Sequence, residues 1–277
     1  MRSIIAFLKI LTFFLTSLVT IVIQSTTMLF TKGPFMLKYP KAYYGFLCRV
    51  FGLKVIVEGE ICTEPHVVYM GNHISYLDIV TLGSVLEGCF VAKKDIERWP
   101  FFGIMAKMQR TVFISRDPKH AAQETQMLLS RLQEPLPLMI FPEGTSSNGK
   151  QILPFKTAFF EIFLNQNFII QPFTFSIMDI DGQKTISDTL RDEYTWHGDM
   201  DLMPCLWNFS KKKGAIVKIS FQKPILSSSF TDRKQLCATV YEGVVKGLDL
   251  SPSPSYGHSL PSQEDEQQPR RQHANHA

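Results

Sequence analysis

The chain has 277 residues, 45% of them hydrophobic and 19% charged, a composition that excludes a disordered or fibrous protein and leaves ample length for one large core. Its net charge of +4 is too small to argue for a nucleic-acid partner. Five cysteines (Cys48, Cys62, Cys89, Cys205 and Cys237) lie far apart without C-x-x-C spacing, which speaks against a disulfide framework or a zinc site.

The charge is unevenly placed. No Asp or Glu precedes Glu58, whereas Arg2, Lys9, Lys32, Lys38, Lys41, Arg49 and Lys54 do, so the first 57 residues carry +7 and the remainder −3. An apolar and purely basic segment suits an anionic lipid surface; a nucleic-acid arm would be polar. Ile10 to Thr31 form 22 uncharged residues, which as a helix would extend about 33 Å, enough to cross a bilayer core. No Ala-x-Ala-like cleavage site follows, as a signal peptide would need, and the run is long for a buried core helix, so a retained membrane anchor is expected. Thr12, Thr16, Ser17, Thr20 and Ser25 to Thr27 soften its hydrophobicity, which leaves open whether it spans the bilayer or lies in one leaflet. Phe35 to Phe51 reads as a second, amphipathic helix with Lys38, Lys41 and Arg49 beside Tyr43, Tyr44, Phe46 and Leu47. If the first helix spans, the heavier basic flank after it places the rest of the chain on the cytoplasmic face of the inner membrane.

After Gly52 short β-rich runs alternate with helical stretches. Strands are predicted at Lys54–Val57, His66–Tyr69, Cys89–Ala92, Thr111–Ile114, Leu138–Phe141, Ile169–Phe175 and Ile216–Phe221. Helices are predicted at Leu77–Leu86, Phe101–Met108, His120–Leu132, Thr157–Leu164 and Cys237–Leu248. The expected architecture is α/β: a central layer of mostly β-sheet flanked by helices, preceded by an N-terminal membrane-binding helical motif. It divides into anchoring helices at 1–52, an α/β domain at 53–250 and a disordered polar tail at 251–277. Asp179 to Asp201 reads as an acidic, turn-rich insertion.

Two nucleotide-binding patterns fail. Gly144 to Lys150 fits the first seven positions of a P-loop, but Gln151 lacks the hydroxyl that would bind Mg²⁺ and Pro154 falls where the phosphate-binding helix should run. No two glycines are spaced for G-x-G-x-x-G, and the G-x-S-x-G nucleophile elbow is absent as well.

Two segments break the apolar pattern. In Val67-Val-Tyr-Met-Gly-Asn-His73-Ile-Ser-Tyr-Leu-Asp78, a strand runs into Gly71, and His73 and Asp78 follow five residues apart. On one straight helix they would point about 140° apart. They meet only if Asn72 to Ser75 form a turn and Asp78 opens the next helix. Such a pair orients an imidazole as a general base near neutral pH, although a capping Asp and a buried structural His explain the residues equally well. No serine or cysteine nucleophile accompanies them, so the activated hydroxyl would be a substrate's. In Leu138-Met-Ile-Phe-Pro-Glu143-Gly144-Thr145 a carboxylate ends an apolar run, a costly place for a charge without a partner, and Gly144 permits close backbone approach. Arg116, after the strand Thr111–Ile114, and Lys156, after Leu153-Pro-Phe, are cations that could grip an anionic headgroup or simply end strands in solvent. His197 with Asp199 is a rival pair inside the acidic insertion.

Asn72-His73-x4-Asp78, Phe113-Ile-Ser-Arg116, Phe141-Pro-Glu-Gly-Thr145 and Gln171-Pro172-Phe173 together resemble the four ordered blocks of the glycerolipid acyltransferase family, which includes the bacterial 1-acyl-sn-glycerol-3-phosphate acyltransferases of the PlsC type. The likeness covers roughly residues 35 to 225. It implies acyl transfer from acyl-CoA or acyl carrier protein to a lipid hydroxyl, without metal or organic cofactor. His73 would be the base and Asp78 its orienting partner. Arg116, Glu143, Gly144 and Thr145 would bind acceptor or donor, and Pro172 would shape the pocket. The expected acceptor is 1-acyl-sn-glycerol-3-phosphate, acylated at its sn-2 hydroxyl to phosphatidic acid. One departure bears on this: where the family block often continues with Arg, this chain has Ser146 and Ser147. Either Lys150, Lys156 or Arg116 holds a phosphate, or the acceptor lacks one. With Trp196-His-Gly-Asp-Met-Asp201, the departure resembles a branch that also contains lyso-ornithine lipid acyltransferases. A non-catalytic lipid-binding protein of the membrane is the alternative from another class, and it would have no use for a base.

Overall fold

The computed structural model of the chain describes residues 1–31, 33–115 and 121–248. Arg116 and the tail at 251–277 therefore lie outside the described residues.

Helix α1 (Arg2–Phe30) is followed by a 3₁₀ turn (Gly33–Leu37) and α2 (Lys38–Phe51). The strands are β1 (Leu53–Glu58), β2 (Val68–Gly71), β3 (Cys89–Lys93), β4 (Val112–Ile114), β5 (Leu138–Ile140), β6 (Ile169–Ile180), β7 (Ala215–Phe221) and β8 (Ile225–Leu226). The later helices are α3 (Leu77–Val85), α4 (Phe102–Met108), α5 (Ala121–Leu132), α6 (Asp188–Asp192), α7 (Leu202–Ser210) and α8 (Arg233–Lys246). The strands form one mixed sheet in the order β1-β7-β6-β2-β5-β3-β4, with β8 beside the start of β6. From β6 through β4 all neighbours are parallel; β7 runs antiparallel to β6 and parallel to β1.

Strand alternation splits the core into two layers. Tyr69, Met139, Phe173, Phe175, Val217 and Ile219 face α2, α3 and α7, where Tyr44, Leu47, Leu82 and Phe209 are buried. Val68, Met70, Leu138, Ile140 and Ile170 face the other way, onto Leu128 and Leu132 of α5 and Leu236, Val240 and Val244 of α8. Because α2 supplies five residues of the first layer, the boundary expected at residue 52 is a change of layer within one packed body.

Three predicted elements differ. Thr157–Phe163 is 3₁₀ rather than α-helical, and the tighter turn packs Phe160 and Phe163 into the core. Strand β6 continues past Phe175 to Ile180, through a bulge at Ile177/Asp179, because β7 pairs along its whole second half. Asp179–Asp201 accordingly begins inside a strand, carries the short helix α6, and buries Tyr194 completely.

Helix α1 reverses the usual pattern. Phe7, Leu15, Leu18, Val19 and Val22 are all more than half exposed, whereas Ser17, Thr20 and Gln24 are buried. Ser17 and Thr16 bond to the Tyr43 hydroxyl, Thr20 to that of Tyr39, and Gln24 Nε2 donates to Met36 O at 3.0 Å. Lys9 Nζ donates to Lys212 O at 2.9 Å, and Phe13 packs on Phe51, Phe101 and Phe102. Contacts therefore follow the helix from its first turns to Gln24, against α2, α4 and α7.

Candidate active site

The site forms where the parallel strands β2 and β5 end side by side, with Met70 opposite both Ile140 and Pro172. Open α/β sheets place ligands beyond such carboxyl ends. Gly71 ends β2 because a Cβ there would meet the Phe173 ring at 2.4 Å. Asn72 then continues the ladder with its side chain: Nδ2 donates to Phe175 O at 3.2 Å, and Phe175 N donates to Asn72 Oδ1 at 2.7 Å.

With Asn72 pinned, the chain turns. Asp78, in the first turn of α3, takes three hydrogen bonds on Oδ2, from Ile74 N at 2.7 Å, Ser75 N at 2.9 Å and His73 Nδ1 at 2.8 Å. Asp78 is fully buried, and its place near the helix N-terminus suits a carboxylate. The Nδ1–H tautomer follows from the Asp78 partner and leaves Nε2 as a proton acceptor. The ring stacks on Phe141, with centroids 4.2 Å apart and planes 10° from parallel, and keeps 17% of its side chain exposed. The turn expected between Asn72 and Ser75 thus brings His73 and Asp78 together.

The second loop grips the backbone of the first. His73 N donates to Glu143 Oε1 at 3.1 Å, and Ser147 N donates to His73 O at 2.8 Å. Glu143 is buried, and desolvation raises its carboxyl to about 8 against the help of the His73 and Leu153 N–H groups. Below that value the group is neutral, which is how an apolar run can end on a Glu. Gly144, at φ +69°, closes the turn with its N–H on Phe141 O at 3.0 Å. Thr145 is exposed beyond it, and Lys156 lies alongside Gly144.

Other expected residues fall elsewhere. Lys150 is exposed and pairs with Asp188 at 2.7 Å. Pro172 packs on Gly243 of α8; in β6 it is Phe173 and Phe175 that face Phe141, so alternation turns Pro172 away from the His73 pocket. His197 pairs with Asp192 at 3.4 Å rather than with Asp199. Asn72, Ser75 and Ser147 were given no role by spacing, yet they hold the turn. A terminal Asn after a strand and the Ser146-Ser147 pair were the available signals. Among the described residues no group of three or more His, Cys, Asp or Glu could hold a metal ion.

The chain is similar to known proteins. A family model described as Acyltransferase matches residues 54–176. The lyso-ornithine lipid O-acyltransferase of Brucella abortus is 30% identical over 225 residues, covering 78% of this chain and 84% of that protein. The 1-acyl-sn-glycerol-3-phosphate acyltransferase of Neisseria gonorrhoeae is 27% identical, over 64% of this chain and 68% of its own. The crystal structure of the 1-acyl-sn-glycerophosphate acyltransferase PlsC from Thermotoga maritima superposes with a TM-score of 0.66 at 18% identity, covering 92% of this chain and all of that one, and so shares the fold. From its two loops, its sheet and these relatives, the chain belongs to the acyltransferase family.

Proposed function

We propose that this protein moves a fatty acyl group from a thioester donor, acyl-CoA or acyl carrier protein, to a hydroxyl of a membrane lysolipid. The observation that carries this is the 2.8 Å contact between His73 Nδ1 and Asp78 Oδ2, which leaves Nε2 open above Phe141. His73 Nε2 takes the hydroxyl proton as the acceptor oxygen attacks the thioester carbonyl. The tetrahedral intermediate collapses, the C–S bond breaks, and the thiolate leaves with the proton returned from His73. An ester and a free thiol result, and no metal or organic cofactor is needed to balance the step.

For the acceptor, a lysolipid without a phosphomonoester, of the lyso-ornithine type, is favoured by two features. Ser146 stands where a phosphate-gripping Arg would follow Thr145, and Lys150 is engaged by Asp188. 1-Acyl-sn-glycerol-3-phosphate is the second reading, favoured by Lys156, which lies exposed beside Gly144 and makes no ion pair among the described residues. The exposed apolar face of α1, with basic residues flanking it, is the attachment to the bilayer. A helix held lengthwise against α2, α4 and α7 cannot cross alone, so α1 lies along the membrane surface with that face in the acyl region. Lys32, Lys38 and Lys41 favour the anionic, cytoplasmic leaflet.

The test is acyl transfer by the purified full-length protein, with labelled acyl-CoA and acyl carrier protein offered to both lysolipids in parallel. Preferred acylation of lyso-ornithine lipid supports the first acceptor, and preferred formation of phosphatidic acid replaces it with the second. Transfer to neither would refute the reaction.

A further inference from the structure

The segment from α6 to α7, which its composition marks as a surface insertion, is fastened beneath the catalytic turn. Ser75 Oγ donates to Tyr194 O at 2.6 Å, Trp196 N donates to Ile74 O at 3.0 Å, and Arg191 Nη1 donates to Gly149 O at 3.3 Å. One stretch of chain therefore touches both loops of the site. The Tyr194 side chain has no solvent exposure and rests edge-on against Phe209, with centroids 5.7 Å apart.

Four oxygens around the turn are buried without a partner, Glu143 Oε2, the Tyr76 hydroxyl, Asp78 Oδ1 and the Tyr194 hydroxyl, and the last two bear on the carboxylate that holds His73. Asp78 Oδ2 takes three hydrogen bonds, but Asp78 Oδ1 takes none, and the Tyr194 hydroxyl makes none either. Buried polar atoms are almost always satisfied, so a paired set of orphans calls for a physical reason. One is an acceptor and the other a donor. Burial, and then the neighbouring Asp78 carboxylate, hold the phenol well above the usual tyrosine range, so it keeps the proton it would donate. The other groups facing it carry no positive charge: Cys48 of α2, Tyr76 of the turn, whose hydroxyl is itself unpartnered, and Thr81 of α3, whose hydroxyl lies beside the phenol but already donates to Leu77 O and Asp78 O and so offers it only an acceptor.

We propose that Tyr194 is a positioning residue for the acyl transfer: its hydroxyl gives Asp78 Oδ1, across one water, the hydrogen bond that fixes the carboxylate in the rotamer facing His73 Nδ1. Tyr194 touches no substrate. It acts through Asp78 on the base of the proposed reaction, so its role rests on that reading. A carboxylate held on one oxygen alone can swing about its Cβ–Cγ bond, and His73 would follow. Held on both, it keeps Nε2 aimed at the acceptor hydroxyl.

Tyr194→Phe tests this because it removes one oxygen and keeps the ring on Phe209. Full-length wild type and variant, purified in detergent, are assayed for acyl transfer with the acceptor that the wild type uses. The expected result is a fall in kcat of about tenfold with KM for donor and acceptor within about twofold, and a thermal midpoint lowered only by the loss of one buried hydrogen bond. An unchanged kcat would overturn the inference. So would a joint fall in kcat, thermal midpoint and substrate affinity, which would mark Tyr194 as packing alone. An active wild type with an unaltered variant removes this inference only; an inactive wild type removes the reaction and this inference with it.

Discussion

Helix α1 and the turn at His73 are built from the same interior chemistry and present opposite faces. Both turn hydroxyls and amides inward: Ser17, Thr20 and Gln24 onto α2 and its preceding turn, and Asn72, Ser75 and the Ile74 N–H around Asp78. What the inward bonds leave outside differs. For α1 it is a stripe of Leu, Val, Ile and Phe, which the proposed function assigns to lipid. For the turn it is one imidazole nitrogen, which the proposed function assigns to a proton. The contrast teaches that in this chain polarity inside is scaffolding, and function is read from what the scaffold leaves exposed.

If the two regions serve separate ends, each can be broken without the other. Asp78→Asn should lower kcat by about 10²–10³, because an amide no longer fixes the Nδ1–H tautomer of His73, while sedimentation with membranes stays at the wild-type level. Co-loss of membrane association would merge the two regions. The reverse case is the triple variant Leu15→Asp, Leu18→Asp and Val22→Asp, on the exposed face of α1. Each buried aliphatic side chain is worth about 1.5–3 kcal/mol, so most of the protein should move from the membrane pellet to the supernatant, with activity on detergent-dispersed substrate retained. Unchanged pelleting would remove α1 as the attachment.

Smaller effects sharpen the comparison. Glu143 has a folded value of about 8 against an ordinary 4.5. A raised carboxyl contributes stability below its unfolded value and loses it as the pH rises through the folded one. The thermal midpoint should therefore decline from about pH 4.5 to about pH 8 and then level off. Glu143→Gln, which can still accept from His73 N, should flatten that decline; an equal slope in both proteins would disprove the assignment. Smallest of all, Ser17→Ala should cost about 1 kcal/mol in a denaturation midpoint, the worth of one net buried hydrogen bond. A much larger cost would mean that the inward face of α1 carries the fold itself.

Much of this was readable in the sequence where the pattern is local. The seven apolar runs named the strands of the sheet apart from β8, whose two residues Ile225 and Leu226 are too short for any periodicity. The long apolar helix and the motifs at His73 and Glu143 were visible because each violates its surroundings: a long stretch without charge, and charges closing apolar runs. Tyr194 was hidden for the opposite reason. It sits among seven acidic residues in a stretch that reads as solvated surface, and its partner Ser75 is 119 positions away in the chain. Pro172 misled because its neighbours in the block point to the site while strand alternation sends its own ring to α8. Only pairing and burial decide such cases.

The central claim is that His73 Nε2 is the base for acyl transfer to a lipid hydroxyl. Its most direct measurement is the single-turnover rate of labelled acyl transfer from acyl-CoA by purified wild type and His73→Ala, with lyso-ornithine lipid and 1-acyl-sn-glycerol-3-phosphate as acceptors. We predict loss of at least about 10³-fold in the variant on whichever acceptor the wild type uses, with membrane sedimentation unchanged. Transfer at the wild-type rate by His73→Ala would contradict it.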